Sequence, residues 1–117
     1  MSRTRTLTPE LARQIRQDPR FREALGHRIP EPGWRSRGTC LDHDPELFFP
    51  TATEDPAPAM AICAGCPVRG ACLATALNTG DCDGVWGGAT PSQRRTMRLL
   101  WATADLATSP ELPELTA

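Results

Sequence analysis

Lysine and tyrosine are absent from these 117 residues, and large apolar side chains are few: three Phe and three Trp. Chains this small with so little aromatic mass build thin cores and often need a staple such as a metal or disulfides. Long apolar runs are also missing, which excludes a membrane-spanning helix. Residues 1–11 contain two arginines but no apolar stretch, so a secretory signal is not expected and the reading is cytoplasmic. In that compartment thiols stay reduced, and a cysteine cluster points to metal binding or catalysis before a disulfide framework.

What is present is unevenly spread. The net charge is −1, yet residues 1–37 hold nine Arg against four acids. Residues 38–90 hold Arg69 alone against seven acids, and residues 91–117 balance three Arg with three acids. A near-neutral total therefore hides a basic arm on an acidic body.

Twelve Pro and nine Gly divide the chain. Thr8-Pro9 and Asp18-Pro19 each read as a helix N-cap followed by proline at the first helical position. Leu11 and Ile15 share a face of the first short helix; Phe21 and Leu25 share one on the second, with Gly26 as its stop. Two such helices need a partner surface. Residues 27–38 read as a linker and 51–58 as a loop. Residues 57–63 predict a short alanine-rich helix, and Pro67 is expected to open the next, with Gly80 just past its end. Gly84-Val85-Trp86-Gly87-Gly88 is a tight turn around one aromatic. Thr90-Pro91-Ser92-Gln93 is a capping-box pattern, and Met97, Leu100, Trp101 and Ala104 then form an amphipathic stripe. No strand alternation is visible. The expectation is an all-α, cluster-stapled domain of short helices with the Gly-rich turn before the last one. Its parts are a basic N-terminal arm and linker at 1–33, a cysteine-bearing domain at 34–104 and a flexible tail at 105–117.

Cys63-x2-Cys66 supplies two thiolates from one turn, Cys72 follows after five residues, and Cys40 closes the set from upstream. Four thiolates so spaced can hold a zinc ion or a 4Fe-4S cluster. Only one close pair is present, which leans away from a zinc site built of two knuckles. Cys40-x2-His43 leaves open a mixed zinc knuckle, although His43 reads more simply as a loop histidine. Cys82 lies between Asp81 and Asp83, where acids raise a thiol's pKa, and reads as a spectator.

Cys40, Cys63-x2-Cys66-x5-Cys72 and the Gly-Val-Trp-Gly-Gly turn, in this order, resemble the WhiB-like proteins of actinobacteria. Trp34, Asp44-Pro45-Glu46-Leu47-Phe48-Phe49-Pro50, Cys66-Pro67-Val68-Arg69 and Ala76-Leu77-Asn78-Thr79-Gly80 extend the resemblance from about Trp34 to about Leu100. It implies one 4Fe-4S cluster per chain on Cys40, Cys63, Cys66 and Cys72, sensitive to oxygen and nitric oxide. It also implies binding to region 4 of the primary sigma factor, and so to RNA polymerase holoenzyme, through Trp34, Phe48, Phe49 and Trp86. The turn residues Gly84, Val85, Gly87 and Gly88 belong to the same pattern.

The chain departs from that family where a basic, DNA-touching tail is usual: Asp105, Glu111 and Glu114 follow the last helix. Promoter DNA is then expected to be bound weakly by the chain alone. Arg94, Arg95 and Arg98 are the candidate contacts, and three charges give a salt slope of about −2.7 at most. The arm of residues 1–33 is longer than in compact members, and the nine arginines of residues 1–37 are a second candidate for phosphate. Two other functions stay open. One is a zinc-stabilised interaction module. The other is a thiol–disulfide reductase acting through Cys63 and Cys66 in the cluster-free form, though the absence of βαβ units argues against a thioredoxin-type fold. No hydrolytic constellation is apparent, so an enzyme of another kind is not expected.

Overall fold

The structure is a computed structural model that describes residues 7–51, 53–80 and 82–106, the last four by backbone alone. Among the described residues there are five α-helices: α1 (Pro9–Gln17), α2 (Pro19–Leu25), α3 (Ala57–Ala64), α4 (Arg69–Thr79) and α5 (Pro91–Leu106). Three single 3-10 turns, Trp34–Arg37, Thr39–Asp42 and Pro45–Phe48, follow one another between α2 and α3. Among the described residues there is no strand, only an isolated bridge pairing Trp86 with Ala89. No helix among them is long and apolar enough to cross a membrane. The fold is all-α, as expected.

The caps act where the sequence puts them. Thr8 Oγ1 accepts the Leu11 N–H at 3.1 Å, and Asp18 Oδ1 accepts the Arg20 N–H at 2.9 Å. Asp18 ends α1 and caps α2, because Pro19 disfavours helical geometry in the residue before it. At α5 the capping box is reciprocal: Gln93 Oε1 accepts the Thr90 N–H at 3.0 Å, and Thr90 Oγ1 accepts the Gln93 N–H at 3.2 Å. One boundary differs from expectation. Pro67 and Val68 form a turn and α4 begins at Arg69.

Helix α4 is the centre. Its small and apolar residues, Ala71, Leu73, Ala74, Ala76 and Leu77, are buried along most of its circumference. Of these, Leu73, Ala74 and Leu77 meet Ile15, Phe21 and Ala24 from the N-terminal helices and Met97, Leu100 and Trp101 from α5. Phe21 and Trp101 pack edge to face with centroids 5.7 Å apart. The partner surface that α1 and α2 require is therefore α4 and α5. The sequence reading set 1–33 apart as an arm, but Phe21 and Ala24 are wholly buried in the shared core. Gly70 allows the close approach: a Cβ there would lie 2.7 Å from His27 Cδ2 and 2.9 Å from Glu23 Cγ. The linker is tied down as well. Arg28 stacks 4.0 Å from the Trp101 ring centroid, and its backbone carbonyl accepts from Asn78 Nδ2 at 2.8 Å. A smaller cluster joins Ala59 and Cys63 of α3 to Phe48 and Val85. The tail from 107 onward, and the Ala104 side chain expected on the stripe, lie outside the described residues.

Candidate functional site

Four local structures deliver the four cysteines to one cavity of about 350 Å³. Cys40 comes from the second 3-10 turn, Cys63 from the end of α3, Cys66 from the turn between α3 and α4, and Cys72 from the first turn of α4. Cys40 is exposed, Cys63 and Cys66 are buried, and Cys72 is intermediate; all are free thiols. Cys82 does not border the cavity. Its Sγ stands 3.7 Å from Arg94 Nη2. His43 reaches the cavity wall but is exposed. Among the described residues, no three of His, Cys, Asp and Glu converge closely enough for a single metal ion.

Burial disfavours the thiolate form of Cys63 and Cys72 in this space. Burial, followed by the neighbouring thiols of Cys63, Cys40 and Cys66, pushes the Cys72 thiol up to about 12, opposed by the Gly87 amide. Burial likewise raises Cys63, with Cys66 and Cys40 adding to it. The backbone amides of Gly88 and Gly87 beside it oppose this rise. Cys66 Sγ accepts the Thr39 N–H at 3.4 Å. The site is thus four thiols with amide donors aimed at sulfur, a donor set suited to a soft metal centre.

The Gly-rich turn supplies the amides of Gly87 and Gly88, and its glycines are needed for close packing. Gly87 has φ +58°, and a Cβ there would stand 2.5 Å from Leu73 Cβ and 2.7 Å from the Arg69 carbonyl oxygen. Gly84, at φ +89°, lies flat on Phe49, where a Cβ would meet Cε2 at 2.7 Å. The Val85 N–H donates to the Phe48 carbonyl at 2.7 Å, and Trp86 Nε1 donates to the Asp83 carbonyl at 2.8 Å.

One expectation at this turn is overturned. Arg94 was a candidate for DNA, but it is 2 % exposed. Its guanidinium donates to the carbonyls of Gly84 at 2.6 Å, Ala89 at 2.7 Å and Cys82 at 2.6 Å. A side chain buried and bonded in this way cannot reach a phosphate. It gathers the carbonyls of the turn instead, while Arg95 and Arg98 remain on the exposed face of α5.

The aromatics surround the cavity unequally. Trp34, Phe48, Phe49 and Trp86 all line it. Phe48 is only 6 % exposed and packs in the smaller core, whereas Phe49 is 55 % exposed and Trp34 and Trp86 are half-buried. Phe48 therefore offers little to a partner, because its ring is already spent on Ala59, Cys63 and Val85. Arg35, which the sequence reading did not single out, sits between the two indoles, 4.8 Å from the Trp34 ring and 5.4 Å from the Trp86 ring. Its adjacency to Trp34 was the only available signal. Leu41 and Leu47 add exposed apolar surface.

A family model described as "Transcription factor WhiB" matches residues 34–97. A transcriptional regulator WhiB1 of Mycobacterium tuberculosis is 46% identical over 70 residues, covering 56% of this chain and 83% of its own. A WhiB1 regulator of Bifidobacterium longum is 43% identical over 70 residues, covering 56% of this chain and 76% of its own. The regulator WhiB of Streptomyces coelicolor is 38% identical over 68 residues, covering 58% and 78%. With its cysteines, its Gly-rich turn and more than half its length inside the matched region, the chain belongs to the WhiB family of transcription factors.

Proposed function

We propose that this regulator holds one 4Fe-4S cluster on Cys40, Cys63, Cys66 and Cys72 and acts on transcription through region 4 of the primary sigma factor. The observation that carries the reading is one cavity lined by four thiols from four local structures, no three of which converge on a single ion among the described residues, with the Thr39 amide donating to the Cys66 sulfur. A cubane offers a separate iron to each thiolate, which suits ligands spread around a volume better than around a point. Such a cluster would supply the sensitivity to oxygen and nitric oxide. The chain's own residues bind it, cover it with Trp34, Phe49 and Trp86, and leave those rings for a partner to bury.

The test joins cofactor to partner. Protein purified under argon is expected to contain iron and sulfide, to be brown, and to bind sigma region 4; nitric oxide is expected to bleach it and release sigma. Trp86→Ala is expected to weaken sigma binding by ~2 kcal/mol or more if this ring is an interface anchor. A colourless protein with one zinc, or equal sigma binding by cluster-loaded and cluster-free protein, would overturn the proposal.

DNA is read as a weak ligand of the chain alone. With Arg94 buried, α5 retains Arg95 and Arg98, and two charges account for a salt slope of about −1.8 at most. Replacing both by Ala in the sigma-bound complex is therefore expected to flatten the plot of log K against log salt by no more than that, in a fluorescence-anisotropy titration on promoter DNA. Tight, sequence-specific binding by the lone protein at physiological salt would contradict this reading.

A further inference from the structure

Helices α1 and α2 precede the region matched by the family, yet α2 is linked to the Gly-rich turn and to the Cys63–Cys66 loop. Arg20 makes the first link. Asp18 holds its guanidinium by bonds of 3.0 Å to Nε and 2.7 Å to Nη2. That leaves Nη1 to donate to the Gly88 carbonyl at 2.7 Å and to Gln93 Oε1 at 2.9 Å. Gly88 packs against Cys63, since a Cβ on it would stand 3.7 Å from Cys63 Cβ, and its amide opposes the rise of that thiol. Glu23 makes the second link. It accepts from Arg69 Nε at 2.6 Å, and Arg69 Nη1 donates at 2.6 Å to the carbonyl of Ala64, inside the Cys63–Cys66 loop.

We infer that α2 is a brace for the thiol site: Arg20 and Glu23 are positioning residues that hold the Gly88 turn and the Cys63–Cys66 loop in the geometry that directs amide donors at sulfur. The inference rests on the cluster reading given above. Hydrogen bonds to sulfur and access of solvent set a cluster's potential and its susceptibility, and outer-shell partners fix the ligands that make them. The carbonyl that Arg20 holds belongs to the Gly88–Ala89 peptide, whose N–H donates to Trp86 O at 3.0 Å, so Arg20 fixes one side of Gly88 and narrows the range over which the amide on its other side can turn. Without Arg20 the Gly88 plane loses its only described side-chain partner, and Cys63 becomes easier to attack. The N-terminal helices would then set how readily this particular chain surrenders its cluster, a property absent from relatives lacking such a segment.

The experiment compares cluster-loaded full-length variants under argon. Arg20→Ala and Glu23→Gln are expected to load iron as wild type does, then bleach with nitric oxide about ten-fold faster. Their reduction potentials are expected to move to more negative values, since a lost donor to sulfur disfavours the added electron. Arg20→Lys keeps one donor and is expected to fall between. Arg28→Ala is the control, because it removes the stacking and the 3.1 Å bond to the Trp101 carbonyl without touching either thiol loop. It is expected to lower stability while keeping wild-type rate and potential. Should Arg20→Ala fail to fold, Glu23→Gln carries the same comparison. If Arg28→Ala and the brace variants change rate and potential alike, or if the brace variants match wild type, the brace is refuted while the cluster reading stands. A wild-type protein without iron and sulfide would refute both.

Discussion

Cys72→Ser protein, purified under argon, is expected to contain almost no iron or sulfide and to lack visible absorbance. Cys72 enters the cavity from α4, the helix on which the rest of the fold is packed, so its position is fixed by Leu73 and Ala74 beside it. No other described cysteine is placed to substitute, since Cys82 does not border the cavity. A serine hydroxyl stays protonated where a thiolate is required. In small metal-bearing domains the binding energy is folding energy, about 10–16 kcal/mol for structural zinc in peptides. Losing the cofactor should unfold the weaker half first. The small cluster of Phe48, Ala59, Cys63 and Val85 and the three 3-10 turns would loosen, while Phe21, Leu73, Leu100 and Trp101 keep α2, α4 and α5 together. Circular dichroism should therefore retain part of its helical signal, and the Trp86 environment should change more than that of Trp101. Loading should also weaken as pH falls, because a thiol raised to about 12 must release its proton to bind. Cys40→Ser, Cys63→Ser and Cys66→Ser should behave alike, and Cys82→Ser should load normally. Full iron content in Cys72→Ser would remove the assignment.

Much of this site was legible in the sequence because its determinants are local. The caps at Thr8, Asp18 and Thr90 are set by residues two or three positions away. Cys63 and Cys66 belong to a single turn, and Gly87 and Gly88 announce positive φ by residue type. What could not be read depends on pairings across the chain. That α1 and α2 find their surface on α4 is a matter of Phe21 meeting Leu73 and Trp101, between 50 and 80 residues away. Phe48 and Phe49 are chemically alike, and only the packing of α3 decides that one is buried and the other exposed. Arg94 is the instructive case. It lies three residues before Met97 and seven before Trp101, on the same stripe that buries those side chains. The period points inward, while the charge alone suggests solvent. A guanidinium on the core stripe is a signal that carbonyls await it.

Arg94→Ala is expected to be among the most destabilising single substitutions outside the thiols. Three carbonyl oxygens, of Gly84, Ala89 and Cys82, face this one guanidinium at 2.6–2.7 Å. Hydrogen bonds to a charged donor are worth about 1.5–3 kcal/mol each, and a buried acceptor left without a partner costs about 1–3 kcal/mol. These are not additive, since the turn can relax toward water once the side chain is gone. A net loss of ~3–5 kcal/mol is expected, comparable to removing one partner of a buried ion pair. Against a total stability of roughly 5–15 kcal/mol for a domain, that leaves little margin. The melting temperature of the loaded protein should fall by more than about 10 °C. Arg94→Lys restores the charge but not the planar fork, and should recover only part of the loss. Because the collapsing turn carries the amides of Gly87 and Gly88, cluster retention should fall with stability. A DNA contact would behave otherwise: melting temperature and cluster content would stay at wild-type values, and only the salt slope for promoter binding would shrink, by about 1. That second pattern would return Arg94 to the nucleic-acid surface; the first fixes it as the residue that holds the Gly-rich turn closed over the thiols.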